Sequence, residues 1–275
     1  MAKSASWTIH ETGKMGIPRF DLEGKVAIVT GAGGPIGIGR AIVRTFAAYG
    51  AKVVLADINE GALADRVEEI KGETSGAQVL GVRCDITDEE SRENLVNAAL
   101  DAYNQIDVLV NVAGVADREN KLAIDMDEAT WDCVVDTNLK AMFFLTQRVA
   151  QHMIERERGS IINLSSFTAR IASVRLMPYM AAKAGVLQMT RGMALEWGRY
   201  NIRVNAICPG YTYSEMTKDA LAQPGGYEAI TRGIPYNRKV GDPMDVAAAA
   251  LFLACDASDF ITGIPLYVDG GRSVS

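Results

Sequence analysis

The stretch that decides the fold is Lys25–Gly39, which reads KVAIVTGAGGPIGIG. Its first part, Lys25–Thr30, is short and nearly all apolar, as expected of a strand buried on both faces of a sheet. A glycine-rich turn follows, and the pattern then takes a helical period from Ile36 to Tyr49. Glycines at such a turn let the backbone approach a pyrophosphate, whose charge the N-terminus of the next helix stabilises. The stretch therefore predicts a phosphate-binding turn, with an ordinary glycine turn as the alternative.

Short apolar runs and helical segments continue to alternate along the rest of the chain. The seven predicted strands are Lys25–Thr30, Lys52–Asp57, Gln78–Cys84, Asp107–Asn111, Ser160–Leu164, Ile202–Ile207 and Pro265–Val268. The predicted helices are Ile36–Tyr49, Glu60–Lys71, Asp88–Tyr103, Glu128–Glu155, Pro178–Arg199 and Pro243–Cys255. Alternation of this kind favours right-handed βαβ units. We therefore predict an α/β fold: a doubly wound, Rossmann-type single domain of about seven parallel strands with helices on both faces.

Segments without this alternation divide the chain. Residues 1–22 are polar and interrupted by Gly13, Gly16 and Pro18, which predicts an N-terminal arm of coil. Residues 23–275 are predicted to form a single dinucleotide-binding and catalytic domain. Within this domain, residues 209–241 include a polar, glycine-containing segment with no clear period. We expect that segment to cover the substrate.

Composition excludes several functional classes. The chain has 275 residues and a net charge of −6, so we expect no basic face and no nucleic-acid partner. Its four cysteines and two histidines are widely spaced, which argues against a disulfide framework and against a metal site. The first 20 residues hold no apolar signal segment, and the longest apolar run, Val246–Cys255, is too short to span a bilayer. We expect a cytoplasmic protein with no membrane partner.

Tyr179 and Lys183 stand four residues apart in one predicted helix. This spacing places both side chains on the same helix face, one turn apart. An ammonium beside a phenol favours the phenolate, and a tyrosine whose pKa approaches neutrality can act as a general base or acid. The alternative is a half-buried tyrosine beside a solvated lysine.

Polar residues follow the predicted strands at the carboxyl edge of the sheet, where open α/β folds bind ligands. Asp57 ends the second strand, where a carboxylate can accept hydrogen bonds from both ribose hydroxyls of NAD and repels the 2′-phosphate of NADP. A helix N-cap is the alternative for this residue. Asp85 and Asn111–Gly114 follow the third and fourth strands, and Ser166 follows the fifth, 13 residues before Tyr179.

Together these elements resemble the short-chain dehydrogenase/reductase family, from about Leu22 to Gly271. The shared elements, in the family's order, are the Thr-Gly glycine loop, the acid after the second strand, an Asp after the third, Asn-x-Ala-Gly, a mid-helix Asn, Ser, Tyr-x-x-x-Lys, Pro209-Gly210 and Val268–Gly271. One departure is Val112, at a position where the family usually has asparagine.

The resemblance implies catalytic roles for four residues. Tyr179 resembles the base that takes the alcohol proton, and Lys183 the lysine that lowers the tyrosine pKa and holds the nicotinamide ribose. Ser166 matches the serine that hydrogen-bonds the reacting oxygen, with Ser165 as its rival. Asn138 matches the asparagine that anchors a water in a proton relay, the alternative being a helix residue that bonds its own backbone.

The resemblance also implies a cofactor, NAD, and a set of residues that bind it. These residues are Gly31, Gly37, Ile38, Asp57, Asp85, Ile86, Asn111, Ala113, Gly114, Tyr179, Lys183, Pro209, Gly210 and Thr212. No metal is expected.

The glycine loop is two residues longer than the family's common form, and two alignments compete. In the ungapped alignment Pro35 replaces the second glycine, although its ring and missing N–H suit a pyrophosphate contact badly. In the gapped alignment Gly37 and Gly39 supply the second and third glycines. We choose the gapped alignment, which predicts that Gly37 and Ile38 lie at the cofactor while Gly34 and Pro35 bulge away from the nicotinamide.

The expected activity is NAD-linked interconversion of a secondary alcohol and a ketone, acting on a small polyol, sugar or hydroxy acid. The alternatives are a catalytically inactive dinucleotide-binding sensor and an epimerase or dehydratase of the same fold. Arg170 and Arg175 are candidates to meet a substrate anion, or are solvated surface residues. The resemblance implies a homo-oligomer, a tetramer or dimer, with Met189, Met193 and Leu195 as a candidate contact face or simply as core.

Overall fold

A computed structural model describes residues 19–117 and 119–275. The strands are β1 (Val26–Thr30), β2 (Lys52–Asp57), β3 (Val79–Arg83), β4 (Val108–Asn111), β5 (Gly159–Leu164), β6 (Ile202–Pro209) and β7 (Pro265–Val268). The α-helices are α1 (Ile38–Ala48), α2 (Glu60–Glu73), α3 (Glu89–Tyr103), α4 (Glu128–Val135), α5 (Met142–Glu155), α6 (Met177–Trp197), α7 (Lys218–Ala222), α8 (Gly226–Thr231) and α9 (Pro243–Ala254).

The seven strands form one parallel sheet in the order β3-β2-β1-β4-β5-β6-β7. The strand order changes direction between the neighbouring strands β1 and β4. The connection that follows β1 lies on one face of the sheet, and the connection that follows β4 lies on the other. Helices α1, α2 and α9 supply one hydrophobic core layer, and α3, α5 and α6 supply the other. The predicted doubly wound α/β fold is confirmed. The carboxyl ends of all seven strands meet at a single edge.

Helix α1 begins two residues later than predicted. Gly37 has φ +127°, which a helical residue does not adopt, so the first helical residue is Ile38 rather than Ile36. The predicted helix Glu128–Glu155 is also interrupted, by a π-helical turn over Asp136–Ala141. Inserted π-helical turns are frequent at functional sites.

The segment predicted to lack periodic structure contains the two short helices α7 and α8. Most of the predicted N-terminal arm, residues 1–18, lies outside the described residues. The described end of the arm is coil, and its last residue, Leu22, is fully buried in the core. Of the candidate contact face on α6, Met193 is buried in the core, Met189 is half-buried against it, and Leu195 is 87% exposed. The core alternative therefore fits Met193 best.

Within the described ranges 19–117 and 119–275, no helix is both long enough and apolar enough to cross a membrane.

Candidate active site

Tyr179 and Lys183 lie in the first two turns of α6, as their spacing predicted. Pro178 occupies the start of this helix, where its missing N–H costs nothing. Lys183 is 4% exposed, and its Nζ lies 5.5 Å from the centre of the Tyr179 ring. The same ammonium donates to the carbonyl of Leu164 at 2.8 Å. The lysine therefore ties α6 to the end of β5 and places its charge beside the tyrosine.

The two serines after β5 have different roles. Ser165 Oγ donates to the main-chain carbonyl of Lys183 at 2.8 Å, so it holds α6 against the strand. The side chain of Ser166 faces the phenol of Tyr179 and acts to lower the pKa of that phenol. Ser166 also caps the 3-10 turn Phe167–Ala169. The structure thus brings Ser166, rather than its rival Ser165, to the tyrosine hydroxyl.

Burial controls the protonation of this cluster. Desolvation raises the pKa of Tyr179, and the hydrogen bond from Ser166 opposes that rise. Desolvation also lowers the pKa of Lys183 to about 8, and it raises the pKa of the neighbouring Cys208 thiol to about 11. The expectation that Lys183 lowers the tyrosine pKa stays a prediction. In this arrangement the largest influence on the Tyr179 pKa is burial, and the ammonium of Lys183 donates to the carbonyl of Leu164.

Asn138 lies inside the π-helical turn and is 1% exposed. Its Nδ2 donates to the carbonyls of Val115 at 2.7 Å and Val134 at 2.8 Å, and its Oδ1 accepts from the N–H of Val115 at 3.2 Å. A Cβ on Gly114 would lie 2.4 Å from this Oδ1 and 3.5 Å from Lys183 Nζ. Asn138 therefore joins the loop after β4 to the helix that contains the π-helical turn. Both of its amide hydrogens are used, so a water at this position would donate to the second lone pair of Oδ1 or contact the main chain.

The side chain of Asn111 is held in the core, so the predicted cofactor contact would fall on its main chain. Its side chain donates to Thr146 Oγ1 at 2.8 Å and to Asn163 Oδ1 at 2.9 Å, and Asn163 donates to Thr190 at 3.0 Å. These residues form a buried polar chain from α5 through β4 and β5 to α6. The side chain of Asn111 faces the core, so it fixes the helix that carries the tyrosine and does not reach the sheet edge.

The glycine turn supports the gapped alignment. A Cβ on Gly39 would meet the carbonyl oxygen of Gly31 at 2.1 Å, so helix α1 approaches β1 closely only because both residues are glycine. Gly37 is the N-cap of α1 and is in the left-handed half of φ space. Pro35 is exposed on the outside of the turn. The positions of Gly37 and Gly39 fit those of the second and third glycines of a dinucleotide turn.

Two further features shape this turn. Thr30, the threonine of the Thr-Gly glycine loop, accepts the N–H groups of Val112 and Ala113 at 3.0 and 3.1 Å, so it joins the turn to the loop after β4. Helix α1 has no side-chain cap, a feature it shares with α5, α6, α7 and α8. Its first N–H groups are left for an outside acceptor, as a pyrophosphate site requires.

Asp57 lies at the end of β2 and is not the cap of α2, since that role belongs to Asn59. Its Oδ2 accepts the N–H of Gly33 at 2.9 Å, and its Oδ1 accepts the N–H of Asn59 at 3.1 Å. Each carboxylate oxygen keeps one lone pair free for a ribose hydroxyl. The helix N-cap alternative for Asp57 is therefore wrong.

The remaining predicted residues divide between the sheet edge and structural contacts. Asp85 uses Oδ1 to bond both the N–H and the hydroxyl of Thr87, which leaves Oδ2 for an outside donor. Ile86 is buried below it. Pro209, at the end of β6, lies opposite Val268 of β7. The N–H of Gly210, the next residue, donates to the Val268 carbonyl at 2.9 Å.

Thr212 is 4% exposed in the segment after β6, and its hydroxyl donates to the carbonyl of Gly210 at 3.3 Å. Ser214 lies against the glycine turn, with its Cβ 3.5 Å from the position of a Cβ on Gly37. The sequence analysis missed Ser214, and only the path of the chain after β6 shows which polar residue of this segment faces the turn.

The two arginines considered for a substrate anion lie beside the site. Arg170 stacks over the Tyr267 ring at 5.8 Å, and Arg175 is exposed at a left-handed turn with φ +64°. The solvated-surface alternative fits Arg175. The glycine turn, the uncapped α1 and the free lone pairs of Asp57 together fit a bound dinucleotide.

Comparison with known proteins identifies the family. A family model described as enoyl-(acyl carrier protein) reductase matches residues 31–273. The NAD-dependent glycerol dehydrogenase of Listeria innocua is 40% identical over 255 residues, 93% of this chain and 96% of its own. Galactitol 2-dehydrogenase (L-tagatose-forming) of Cereibacter sphaeroides is 39% identical over 257 residues, 93% of this chain and 97% of its own.

Solved structures show the same relationship. A structure from Agrobacterium tumefaciens with bound NADP, described as a 2-deoxy-D-gluconate 3-dehydrogenase, has a TM-score of 0.84 at 36% identity. The match covers 93% of this chain and 99% of that one. The chain therefore belongs to the short-chain dehydrogenase/reductase family of oxidoreductases.

Proposed function

We propose that this enzyme interconverts a secondary alcohol and a ketone with NAD(H), and that Tyr179 is its general base and acid. The observation that carries the proposal is the cluster of Tyr179, Ser166 and Lys183 at the carboxyl edge of the sheet. The cluster shares that edge with the glycine turn and with the uncapped N-terminus of α1. Bound nicotinamide supplies the site that accepts or returns a hydride.

Each side chain of the cluster contributes one function. Ser166 donates a hydrogen bond to the reacting oxygen and holds the carbinol carbon in place. Tyr179 accepts the hydroxyl proton during oxidation and returns it during reduction. Lys183 places a positive charge 5.5 Å from the tyrosine ring, where it favours the phenolate over the neutral phenol. Oxidation requires the deprotonated phenol, so its rate should rise with pH, while reduction should fall.

Asp57 supports NAD as the cofactor. Its carboxylate is held by the N–H of Gly33 and retains acceptor positions for the two ribose hydroxyls. A 2′-phosphate at the same place would meet a negative charge. No Lys or Arg occurs in the turn from Ala32 to Ile38 to neutralise such a phosphate. The named relative that uses NAD agrees with this proposal, and the structure with bound NADP makes the direct comparison necessary.

A small polyol, sugar or hydroxy acid is the proposed substrate. The ring of Tyr211, in the covering segment, packs on Phe167 next to Ser166 with ring centres 5.1 Å apart. The same segment contributes exposed Tyr213 and Tyr227, and Glu215 paired with Lys218. This mixture of phenols and charges suits a polyhydroxylated ligand. Two of the relatives are named for glycerol and galactitol, which supports the same class.

A substrate panel tests the proposal. Wild-type enzyme would be assayed for NADH formation with glycerol, hexitols, aldonic acids and a hydroxysteroid, and each rate would be repeated with NADP. We expect turnover with at least one polar alcohol and a higher kcat/KM with NAD. An inactive sensor would bind NAD without any turnover, and an epimerase or dehydratase would change the substrate without net NADH.

We further propose that the enzyme acts in the cytoplasm as a homo-oligomer. All four cysteines are free thiols, three of them buried, which suits a reducing compartment. Exposed Leu195 lies on α6, beside a groove of about 350 Å³ between α5 and α6 that is lined by Phe143, Met189 and Trp197. Light scattering of the purified enzyme tests this part, and a monomer at assay concentration would contradict it.

A further inference from the structure

The hydroxyl of Ser166 accepts two hydrogen bonds from a single residue, Thr168. The main-chain N–H of Thr168 donates to Ser166 Oγ at 3.1 Å, and Thr168 Oγ1 donates to the same atom at 2.9 Å. A serine hydroxyl has two acceptor lone pairs and one donor hydrogen. With both lone pairs in use, Ser166 can only donate.

The surroundings of Ser166 give that donated hydrogen one direction. Ser166 and Thr168 are 6% and 5% exposed, so water competes little for their hydrogen bonds. Because both lone pairs of Ser166 are occupied, its one hydrogen is available to the Tyr179 hydroxyl, which Ser166 faces. A reacting oxygen bound beside Tyr179 would meet that hydrogen.

The two hydrogen bonds from Thr168 to Ser166 have different structural roles. An N–H two residues after a serine commonly bonds its side chain, and this bond caps the 3-10 turn Phe167–Ala169. The cap is complete without the threonine hydroxyl. The second bond, from Oγ1, therefore has no role in closing the turn, and its effect falls on Ser166 itself.

We propose that Thr168 is a positioning residue, whose hydroxyl fixes Ser166 as a hydrogen-bond donor toward the reacting oxygen. This inference rests on the proposed function. Hydrogen bonds in a chain polarise one another, so the bond from Thr168 also strengthens the donation by Ser166. Without Oγ1, one lone pair of Ser166 is free, and the serine hydroxyl can rotate away from the reacting oxygen.

The test compares Thr168→Val, which keeps the shape and removes the hydroxyl, with Thr168→Ser, which keeps the hydroxyl. For Thr168→Val we expect kcat of alcohol oxidation to fall roughly 3- to 10-fold, the effect of one neutral hydrogen bond, with KM for NAD unchanged. Thr168→Ser should restore kcat. The matched control is Thr45→Val, because Thr45 is a buried threonine of α1 whose hydroxyl has no partner.

The pH profile gives a readout that a purely structural role does not move. Weaker donation by Ser166 raises the pKa of Tyr179, so the rising limb of the oxidation profile should move to higher pH in Thr168→Val. The other groups that face the phenol are Lys183 on α6 and Cys208 on β6, and neither is altered. If the valine variant does not fold, Thr168→Ala provides the same test with a smaller side chain.

The outcomes separate this inference from the proposed function. A wild-type enzyme without NAD-linked alcohol oxidation contradicts the proposed function and removes the inference with it. An active wild type whose Thr168→Val and Thr168→Ala variants keep its kcat and its pH profile contradicts the inference alone. A fall in kcat that Thr168→Ser fails to restore would show that volume, and not the hydroxyl, matters at this position.

Discussion

The two halves of the sheet edge present their functional groups in different ways. At β5 and α6, the groups are side chains: the Ser166 hydroxyl, the Tyr179 phenol and the Lys183 ammonium, held by neighbours on β5, β6 and the loop after β4. At β1 and α1, the groups are main-chain N–H donors exposed by glycines, with the carboxylate of Asp57 beside them. We call these the catalytic side and the cofactor side.

This difference predicts that the two sides will respond in opposite ways to substitutions that remove or add an atom. The catalytic side should lose activity when a single atom is removed from a side chain, with little change in folding. The cofactor side should be damaged when an atom is added, because a Cβ at Gly39 would lie 2.1 Å from the carbonyl oxygen of Gly31. Variants that delete or add one atom therefore test the contrast on each side.

The largest effect is expected from Tyr179→Phe, which removes one oxygen from the catalytic side. General acid–base catalysis contributes about 10²- to 10⁴-fold, and kcat should fall by that range while the Kd for NAD stays unchanged. Stopped-flow measurements give kcat. Quenching of the protein's tryptophan fluorescence during titration with NAD gives the Kd. Tyr200→Phe, in the 3-10 turn that follows α6, is the matched control. A Tyr179→Phe enzyme with more than about a tenth of wild-type kcat would refute the assignment of the base.

The next largest effect is expected from Asp57→Ala on the cofactor side. The variant loses charge-assisted hydrogen bonds to the ribose, each worth about 1.5–3 kcal/mol, together with the repulsion of a 2′-phosphate. The ratio of kcat/KM for NAD to that for NADP should fall by roughly 10- to 100-fold. Asp101→Ala, an exposed carboxylate on α3, should leave the ratio unchanged. An unaltered ratio in Asp57→Ala would show that this carboxylate does not select the cofactor.

Added methyl groups in the glycine turn should produce a graded effect on stability. Gly39→Ala forces a clash and should cost about 1–3 kcal/mol, whereas Gly34→Ala meets its nearest atom at an ordinary 3.5 Å and should cost little. Thermal unfolding would show a lower Tm for Gly39→Ala, by about 2–4 °C per kcal/mol. Gly72→Ala, in open space on α2, should not lower Tm.

The reverse order, with Gly34 more sensitive than Gly39, would contradict the gapped alignment, which places Gly34 in an outward bulge and Gly39 at the close contact with Gly31. In that case Gly37 and Ile38 would no longer be the residues expected at the pyrophosphate. A Gly39→Ala variant with an unchanged Tm would by itself contradict the close packing of α1 on β1.

The smallest effect is expected from Lys183→Met on stability. Burial lowers the pKa of Lys183 to about 8, below its ordinary 10.5, so the unfolded chain binds a proton more tightly than the folded one. Burial of the charged lysine therefore lowers the free energy of unfolding by its full amount below about pH 8. This loss disappears as the pH rises toward 10.5. We expect Lys183→Met to lose activity yet to have a higher Tm than wild type at pH 7, with the difference shrinking at high pH. A difference that grows with pH would contradict this direction.

Much of the fold was predictable because each strand and helix carries its own periodic signal. All seven strands lie within a few residues of the predicted bounds, from Val26–Thr30 to Pro265–Val268. Tyr179 and Lys183 were predictable as a pair because helix geometry alone brings them together. The position of Ser166 beside them followed from the meeting of strand ends at one edge.

The rest depended on contacts between distant parts of the chain. The π-helical turn at Asn138 does not alter the hydrophobic period of the sequence. Over a single turn, hydrogen bonds between residues five apart and residues four apart give nearly the same pattern of buried side chains. The side chain of Asn111 faces the core because Asn163 and Thr146 meet it there. Whether Thr212 or Ser214 faces the glycine turn depends on the path of a segment that has little periodic structure.

The most direct test of the central claim is to follow the hydrogen itself. Wild-type enzyme would be incubated with NAD and a polyol that carries deuterium on its carbinol carbon, and the reduced cofactor would be analysed by mass spectrometry. The account predicts NADH that carries the deuterium, formed by wild type and almost absent with Tyr179→Phe. NADH without deuterium, or formation of a labelled product with no reduction of the cofactor, would contradict hydride transfer at this site.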